Sequence, residues 1–284
     1  MALLVYVGIV TSRNMTAQEP SRYEIGLSMY SLRQLFASGE LHAHDYPDFA
    51  KRSFGITKID VWDGGYPKGW QQDPDFLTEL KRRADAAGAE IFLVMAGTVN
   101  ATAATDAELK QNGMKYKDAV DQAVVLGASY VRVFLKVNPS HAEHESLRRA
   151  SVALGSLAYY SGPKGITIAI EPSPGLTASG AYLAKLATLM NHPHCKLMPD
   201  FGKMKGTDIY QGTQVMMPHT AVVSAKAHDI DADGSPQEFD YPRLMQIVRE
   251  SGFEGIVAIE YEGSNLCPVE GVKTVQQTLE SLNW

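Results

Sequence analysis

The sequence predicts an α/β chain that folds as a single (β/α)8 TIM barrel. Three observations carry that prediction. Short runs rich in Val and Ile recur along the chain, each followed by a segment with helical periodicity. Gly55, Gly88, Gly127 and Gly165 stand just before strands at intervals of 33, 39 and 38 residues (88 − 55, 127 − 88, 165 − 127), the length that one strand and one helix consume. Finally, 284 residues with no linker or low-complexity stretch fit one barrel better than two independent domains.

Residues 1–21 read as a weakly structured leader, and the barrel is expected over 22–284. Met1 to Val10 is apolar but far short of the roughly 20 residues that span a bilayer. As a secretory signal it lacks a basic stretch ahead of the apolar run, because Arg13 follows that run. A cytoplasmic location is expected, with export as the alternative.

The first strand is expected over Tyr23–Met29, followed by a helix over Pro47–Phe54 that closes at Gly55. Lys58–Trp62 is a second strand, and a helix from Pro74 to Ala87 stops at Gly88. A third strand spans Glu90–Ala96, and the helix after it spans Tyr116–Leu126. The fourth strand is Tyr130–Leu135, after which Ser140 and Glu143 have the spacing of a capping box for a helix reaching Tyr160. The fifth strand runs into Glu171 and is cut off by Pro172. A helix over Ala181–Met190 follows, then a sixth strand over Lys196–Asp200. The seventh strand is Val222–His228 and the eighth Ile256–Glu260, with helices over Pro242–Glu250 and Val269–Leu282. Eight repeats without interruption imply a closed parallel barrel.

Composition narrows the function. A net charge of −6 opposes a phosphate-backbone binder, which needs a basic face, so nucleic acid is not expected as a partner. No membrane-spanning segment is expected. Two cysteines, Cys195 and Cys267, without CxxC spacing suggest reduced thiols rather than a disulfide framework or a cysteine zinc site. No G-x-G-x-x-G or P-loop is present, so no nucleotide cofactor is implied.

In a barrel of this kind the active site lies at the C-terminal ends of the strands. Those ends carry Asp60 and Trp62 on strand two, Arg132 on four, Glu171 on five, Asp200 on six, Lys226 and His228 on seven, and Glu260 and Glu262 on eight. Carboxylates packed this closely repel one another unless a cation holds them ionised. One divalent metal ion is therefore expected, and oxygen ligands with one imidazole suit Mn2+, Mg2+ or Co2+, with Zn2+ as an alternative. Asp60 and Arg132 read either as substrate contacts or as an internal ion pair. Trp62, Tyr30 and Phe201 read as pocket walls or as core.

The stretches Met198-Pro199-Asp200-Phe201-Gly202, Ser224-Ala225-Lys226-Ala227-His228-Asp229 and Ile259-Glu260-Tyr261-Glu262-Gly263 resemble the sugar phosphate isomerase/epimerase superfamily, with its xylose-isomerase-like TIM barrel. The resemblance covers about Arg22 to Leu282. It implies one metal held by Glu171, Asp200, His228 and Glu260. Relatives commonly read His-x-Lys-Asp on strand seven, whereas here lysine comes first and histidine second. Lys203 stands where several ketose epimerases carry a histidine, and it joins Asp60, Trp62, Arg132 and Glu262 as an expected substrate contact.

The resemblance further implies a metal-dependent isomerase or epimerase that abstracts a proton beside the carbonyl of a ketose-type sugar, through an enediolate. Glu171 and Glu260 would exchange the proton. A 3-keto-glycoside lyase or hydratase would share that first step and then eliminate a group, with Lys226 or His228 as the acid. An abasic-site endonuclease and a non-catalytic sugar-binding barrel are the remaining alternatives. The expected partner is a small sugar or keto-sugar, and self-association into a homo-oligomer is left open.

Overall fold

The computed structural model describes residues 23–204, 208–231 and 234–282. The expected leader lies outside the described residues. The strands are β1 (Glu24–Leu27), β2 (Lys58–Trp62), β3 (Glu90–Asn100), β4 (Tyr130–Lys136), β5 (Thr167–Ile170), β6 (Cys195–Leu197), β7 (Val222–Ala227) and β8 (Ile256–Tyr261). All pair in parallel in the order β6-β5-β4-β3-β2-β1-β8-β7. Parallel bridges Leu197↔Thr220 and Asp200↔Ser224 join the two ends of that order and complete the ring.

The α-helices are α1 (Arg33–Ser38), α2 (Tyr46–Phe54), α3 (Phe76–Ala87), α4 (Asp106–Met114), α5 (Lys117–Leu126), α6 (Glu143–Ser161), α7 (Gly180–Met190), α8 (Ile209–Met216), α9 (Tyr241–Glu250) and α10 (Pro268–Leu282). The glycine spacing has a conformational origin. Gly55, Gly88, Gly127 and Gly165 have φ of 71°, 67°, 70° and 75°, a left-handed geometry that ends a helical segment and that side-chain-bearing residues resist.

Strands buried on both faces read as continuous apolar runs, and every residue of β7 and β8 is buried. A smaller apolar cluster gathers Phe92, Met95, Ala169, Met198, Val222 and Ala258. These residues come from β3, β5, β7 and β8 and from the chain just after β6, and they meet inside the ring. The larger cluster packs the outer faces of the strands against the helices.

Several boundaries differ from expectation. Strand β3 runs on to Asn100 because its register against β4 shifts between Met95 and Thr98, a bulge that keeps the pairing alive beyond Ala96. Strand β6 stops at Leu197. Pro199 has no N–H to give, but its carbonyl accepts from Ser224 N, and Asp200 then bridges to β7. Helices α4 and α8 follow loops that gave no clear sequence expectation. The expected box at Ser140 and Glu143 does not form: Ala142 is the N-cap of α6 and no side chain caps it. A reciprocal capping box is made instead by Thr105 and Glu108 at the start of α4. Cys195 and Cys267 are both free, as expected.

Two helical glycines test this packing with opposite signs. A Cβ on Gly113 of α4 would lie 2.0 Å from the Ala153 carbonyl oxygen of α6, whereas one on Gly155 of α6 meets nothing within 4 Å. Gly155→Ala is expected to stabilise by about 0.5–1 kcal/mol through helix propensity. Gly113→Ala gains the same propensity but must open the helix contact, and is expected to destabilise by about 1–3 kcal/mol. Urea unfolding of both variants checks the pair, and two stabilised proteins would contradict the close approach of α4 to α6.

Candidate active site

The strand ends bring three carboxylates together. Glu171 follows β5, Asp200 follows β6 and Glu260 lies within β8, and one oxygen from each lies within 4.8 Å of the others. They are 2%, 0% and 6% exposed, so each must find partners inside the protein. Asp200 accepts from Gly202 N–H at 2.8 Å. Ser224 Oγ lies 3.0 Å from Asp200 and 2.9 Å from Glu260, and its single proton serves one carboxylate at a time.

Two cations complete the group. Lys226 is only 2% exposed and places Nζ 3.0 Å from Glu260 and 3.5 Å from Asp200, with a shorter hydrogen bond to Glu262. Its stem passes Gly202, where any Cβ would come within 2.6 Å of the Lys226 chain, so glycine is needed there. Arg132 pairs with Glu171 at 2.9 Å and donates from Nη1 to the Ala96 carbonyl at 2.8 Å. Ala96 belongs to the bulged part of β3, so the register shift supplies the oxygen that fixes this guanidinium.

These surroundings pull the carboxyl groups apart. Burial raises the Glu171 pKa well above its ordinary value, and the charges of Asp200 and Glu260 add to that, while Arg132 opposes it. Burial acts on Glu260 in the same direction, but Lys226 overcomes it by charge and by hydrogen bond, and Arg132 and Lys203 add to the lowering. The two neighbours are thus driven in opposite directions. Burial works to lower the Lys226 pKa, but Asp200, Glu260 and Glu262 outweigh it and keep the ammonium charged.

A cavity of about 500 Å³ opens beside this group. Trp62, Arg132, Lys203, Glu260 and Glu262, all expected at the site, line it. Tyr30 also lines it, edge-on to Trp62 with ring centroids 4.9 Å apart. Glu171 and Asp200 do not line the cavity, but both are within reach of Glu260, which does. Tyr116 and Phe134 are lining residues that the sequence did not single out. Tyr116 read as the start of a helix, and Phe134 as strand core.

Other expected residues are placed elsewhere. His228 is not in the carboxylate group; its Nδ1 lies 2.8 Å from Glu238, in the loop before α9. Phe201 is fully buried and packs edge-on against Tyr241. Asp60 is fully buried and outside the cavity lining. It accepts from Met29 N–H at 2.7 Å, and Arg132, its candidate partner, pairs with Glu171 instead. Burial, only partly offset by the Met29 hydrogen bond, pushes the Asp60 pKa up to about 8.

The donor set suits a divalent cation. Three carboxylates converge, and Glu171 Oε1 is buried without a hydrogen-bond partner, the kind of orphaned oxygen that a hard ion satisfies. Lys226 shares two of the three carboxylates, so an ion entering this group meets a positive charge already in place.

A barrel whose strand ends converge on an acidic centre has the layout of a TIM-barrel active site. The chain belongs to the xylose isomerase-like TIM barrel family, whose model matches residues 48–284. Among solved structures it is similar to D-allulose 3-epimerase from Methylomonas sp., with 17% identity, 93% of this chain and 99% of that chain covered, and a TM-score of 0.72. It is similar to the IolI protein with a zinc atom, at 14% identity, 91% and 97% coverage and a TM-score of 0.70. It is also similar to a probable 3-DHS dehydratase, AsbF, from Bacillus anthracis, at 15% identity, 90% and 98% coverage and a TM-score of 0.70. At these identities the likeness is one of fold. No curated protein matches the sequence.

Two outcomes follow from the charges. Because the folded Asp60 keeps a proton that the unfolded chain releases above about pH 4, its stabilising contribution is complete below that pH and is lost as pH rises through about 8. Asp60→Asn keeps the acceptor for Met29 and does not ionise. Its melting temperature relative to wild type is expected to rise between pH 4 and 8, and a pH-independent difference would show that Asp60 is ionised in the fold. Lys226→Gln removes the competing charge and is expected to tighten Mn2+ binding about ten-fold or more. That is ~1.4 kcal/mol, well under the ~4 kcal/mol exchanged by unit charges ~4 Å apart at an effective dielectric constant of about 20. Calorimetric titration of metal-stripped protein reads it, and unchanged affinity would mean that the ammonium and the ion do not compete.

Proposed function

We propose that the protein is a sugar isomerase or epimerase that moves a proton at the carbon beside a substrate carbonyl. The observation that carries this reading is the meeting of Glu171, Asp200 and Glu260 beside the cavity, one oxygen of each within 4.8 Å of the others, with burial raising the Glu171 pKa while Lys226 lowers that of Glu260. A pair of groups whose environments drive their pKa values apart supplies both a base and an acid. Glu260 takes the proton from the substrate carbon, and Glu171 returns one. Arg132 and Lys203, on the same wall, hold the carbonyl and hydroxyl oxygens of the sugar, and Trp62 and Tyr30 present rings against which its apolar face packs.

Glu171, Asp200 and Glu260 would hold one divalent ion, which would supply positive charge where the substrate oxygen becomes negative. The zinc atom of the IolI structure supports a divalent ion, and the donor set is compatible with Mn2+, Mg2+, Co2+ or Zn2+. The family and the 3-epimerase neighbour support a small sugar as substrate. A lyase is the second reading, because elimination shares the same proton abstraction and the similarity in fold to a probable dehydratase supports it.

Incubating the protein with free ketoses in D2O and following exchange by NMR tests the proposal. Glu260→Gln and Glu171→Gln are each expected to reduce exchange by about 10²–10⁴-fold, with the far-UV circular dichroism spectrum unchanged. Wild-type exchange in either variant would remove the two-carboxyl mechanism.

A further inference from the structure

A second cavity, of about 440 Å³, adjoins the first and shares Phe134 and Lys203 with it. Each is of the size that holds a small organic ligand, about 300–1,000 Å³. Phe134 is the partition. Its ring lies under the Arg132 guanidinium at 4.2 Å on the sugar side, and the Lys203 ammonium stands 4.9 Å from its centroid.

The chemistry of the two cavities differs. The first is lined by ionised and hydrogen-bonding groups. The second is walled by Phe134, Val137, Pro139, Pro174 and Leu176. Of its three hydroxyl residues Thr98 is exposed and the other two are already committed: Ser173 Oγ donates to the Leu135 carbonyl at 3.0 Å and lies 2.8 Å from Thr177 Oγ1, which is itself 3.1 Å from that carbonyl. Lys136 is the other charged residue of the lining and is exposed. The annex therefore offers apolar surface and little hydrogen-bond readout, which is what an apolar group requires and a second sugar ring does not.

We propose that the substrate is a carbonyl-bearing sugar that also carries an apolar substituent, for which an aryl glycoside serves as a non-reacting binding probe. The sugar occupies the acidic cavity and the apolar substituent passes Phe134 into the annex. The inference rests on the reading of the first cavity as the sugar site and adds the substrate class. It gives Leu176 and Val137, which are only partly buried, a role in specificity.

Calorimetric titration with phenyl β-D-glucopyranoside, methyl β-D-glucopyranoside and glucose 6-phosphate tests it. The phenyl glycoside is expected to bind at least ten-fold more tightly than the methyl glycoside. Leu176→Gln and Val137→Asn are each expected to remove that advantage while leaving methyl glycoside binding within two-fold, which also shows that the variants fold. Equal affinity for the two glycosides, an advantage retained in both variants, no binding of any probe, or tighter binding of the sugar phosphate would overturn the proposal, the last because Lys136 and Lys203 would then be reading an anion. The titration needs no turnover. A phenyl preference without proton exchange would remove the isomerase reading and keep the annex, and exchange without a phenyl preference would do the reverse.

Discussion

Five carboxyl groups crowd one end of this barrel, and the cost of burying their charge governs the arrangement around them. Asp60, Glu171 and Asp200 are almost wholly removed from water, Glu260 is 6% exposed, and Glu262 is half-buried beside them. A buried carboxylate must be paired, hydrogen-bonded or protonated. The protein uses all three routes. Lys226 pairs with Glu260 and Glu262, Asp200 takes a backbone N–H and shares the Ser224 hydroxyl, Glu171 pairs with Arg132 while burial raises its pKa, and Asp60 keeps its proton up to about pH 8. The opposite pull on Glu171 and Glu260 that suits acid–base chemistry thus arises from how one ammonium is placed among several acids.

The ring is what makes that placement reproducible. Parallel strands joined edge to edge put consecutive strand ends side by side, so residues far apart in sequence, such as Glu171 and Glu260, become neighbours. Irregularities then aim individual groups. The bulge in β3 turns the Ala96 carbonyl towards Arg132, and the interruption of β6 at Pro199 delivers Asp200 to the bridge with Ser224. Gly202 leaves room for the lysine stem. Each is a small departure from a regular barrel, and each touches a charged group of the site.

The barrel was legible because its signals are local and repeated. Glycines with left-handed geometry recur at the ends of helical segments, and parallel strands with two buried faces are spelled in unbroken apolar letters. Glu171, Asp200 and Glu260 were legible for the same reason, since each directly ends or nearly ends such a run. What sequence could not deliver was direction and reach. Tyr116 comes from a loop-helix junction, Phe134 from inside a strand, and nothing in either local pattern points to a cavity. Asp60 shows the converse, because a strand-end carboxylate can turn inward and satisfy a backbone N–H instead of a ligand. Ser140 and Glu143 had the spacing of a capping box but not its geometry.

The exchange of lysine and histidine near the end of β7 has its consequence in the strand's rise. Residues two apart share a face but are displaced along the strand by about 6.6 Å, at roughly 3.3 Å per residue. The three carboxylates are gathered within 4.8 Å, so the two positions cannot serve the group equally. Lys226 lies within β7, fully enclosed, at the level of Glu260, with which it is paired in register. His228 lies beyond the strand, a quarter exposed, and meets Glu238 from the following loop. A histidine at the lower position would have offered a neutral nitrogen to a metal ion, whereas the lysine there brings a charge of its own. The acidic centre is therefore partly neutralised from within the chain, and any ion that joins it must share Glu260 and Asp200 with an ammonium that the fold has already fixed.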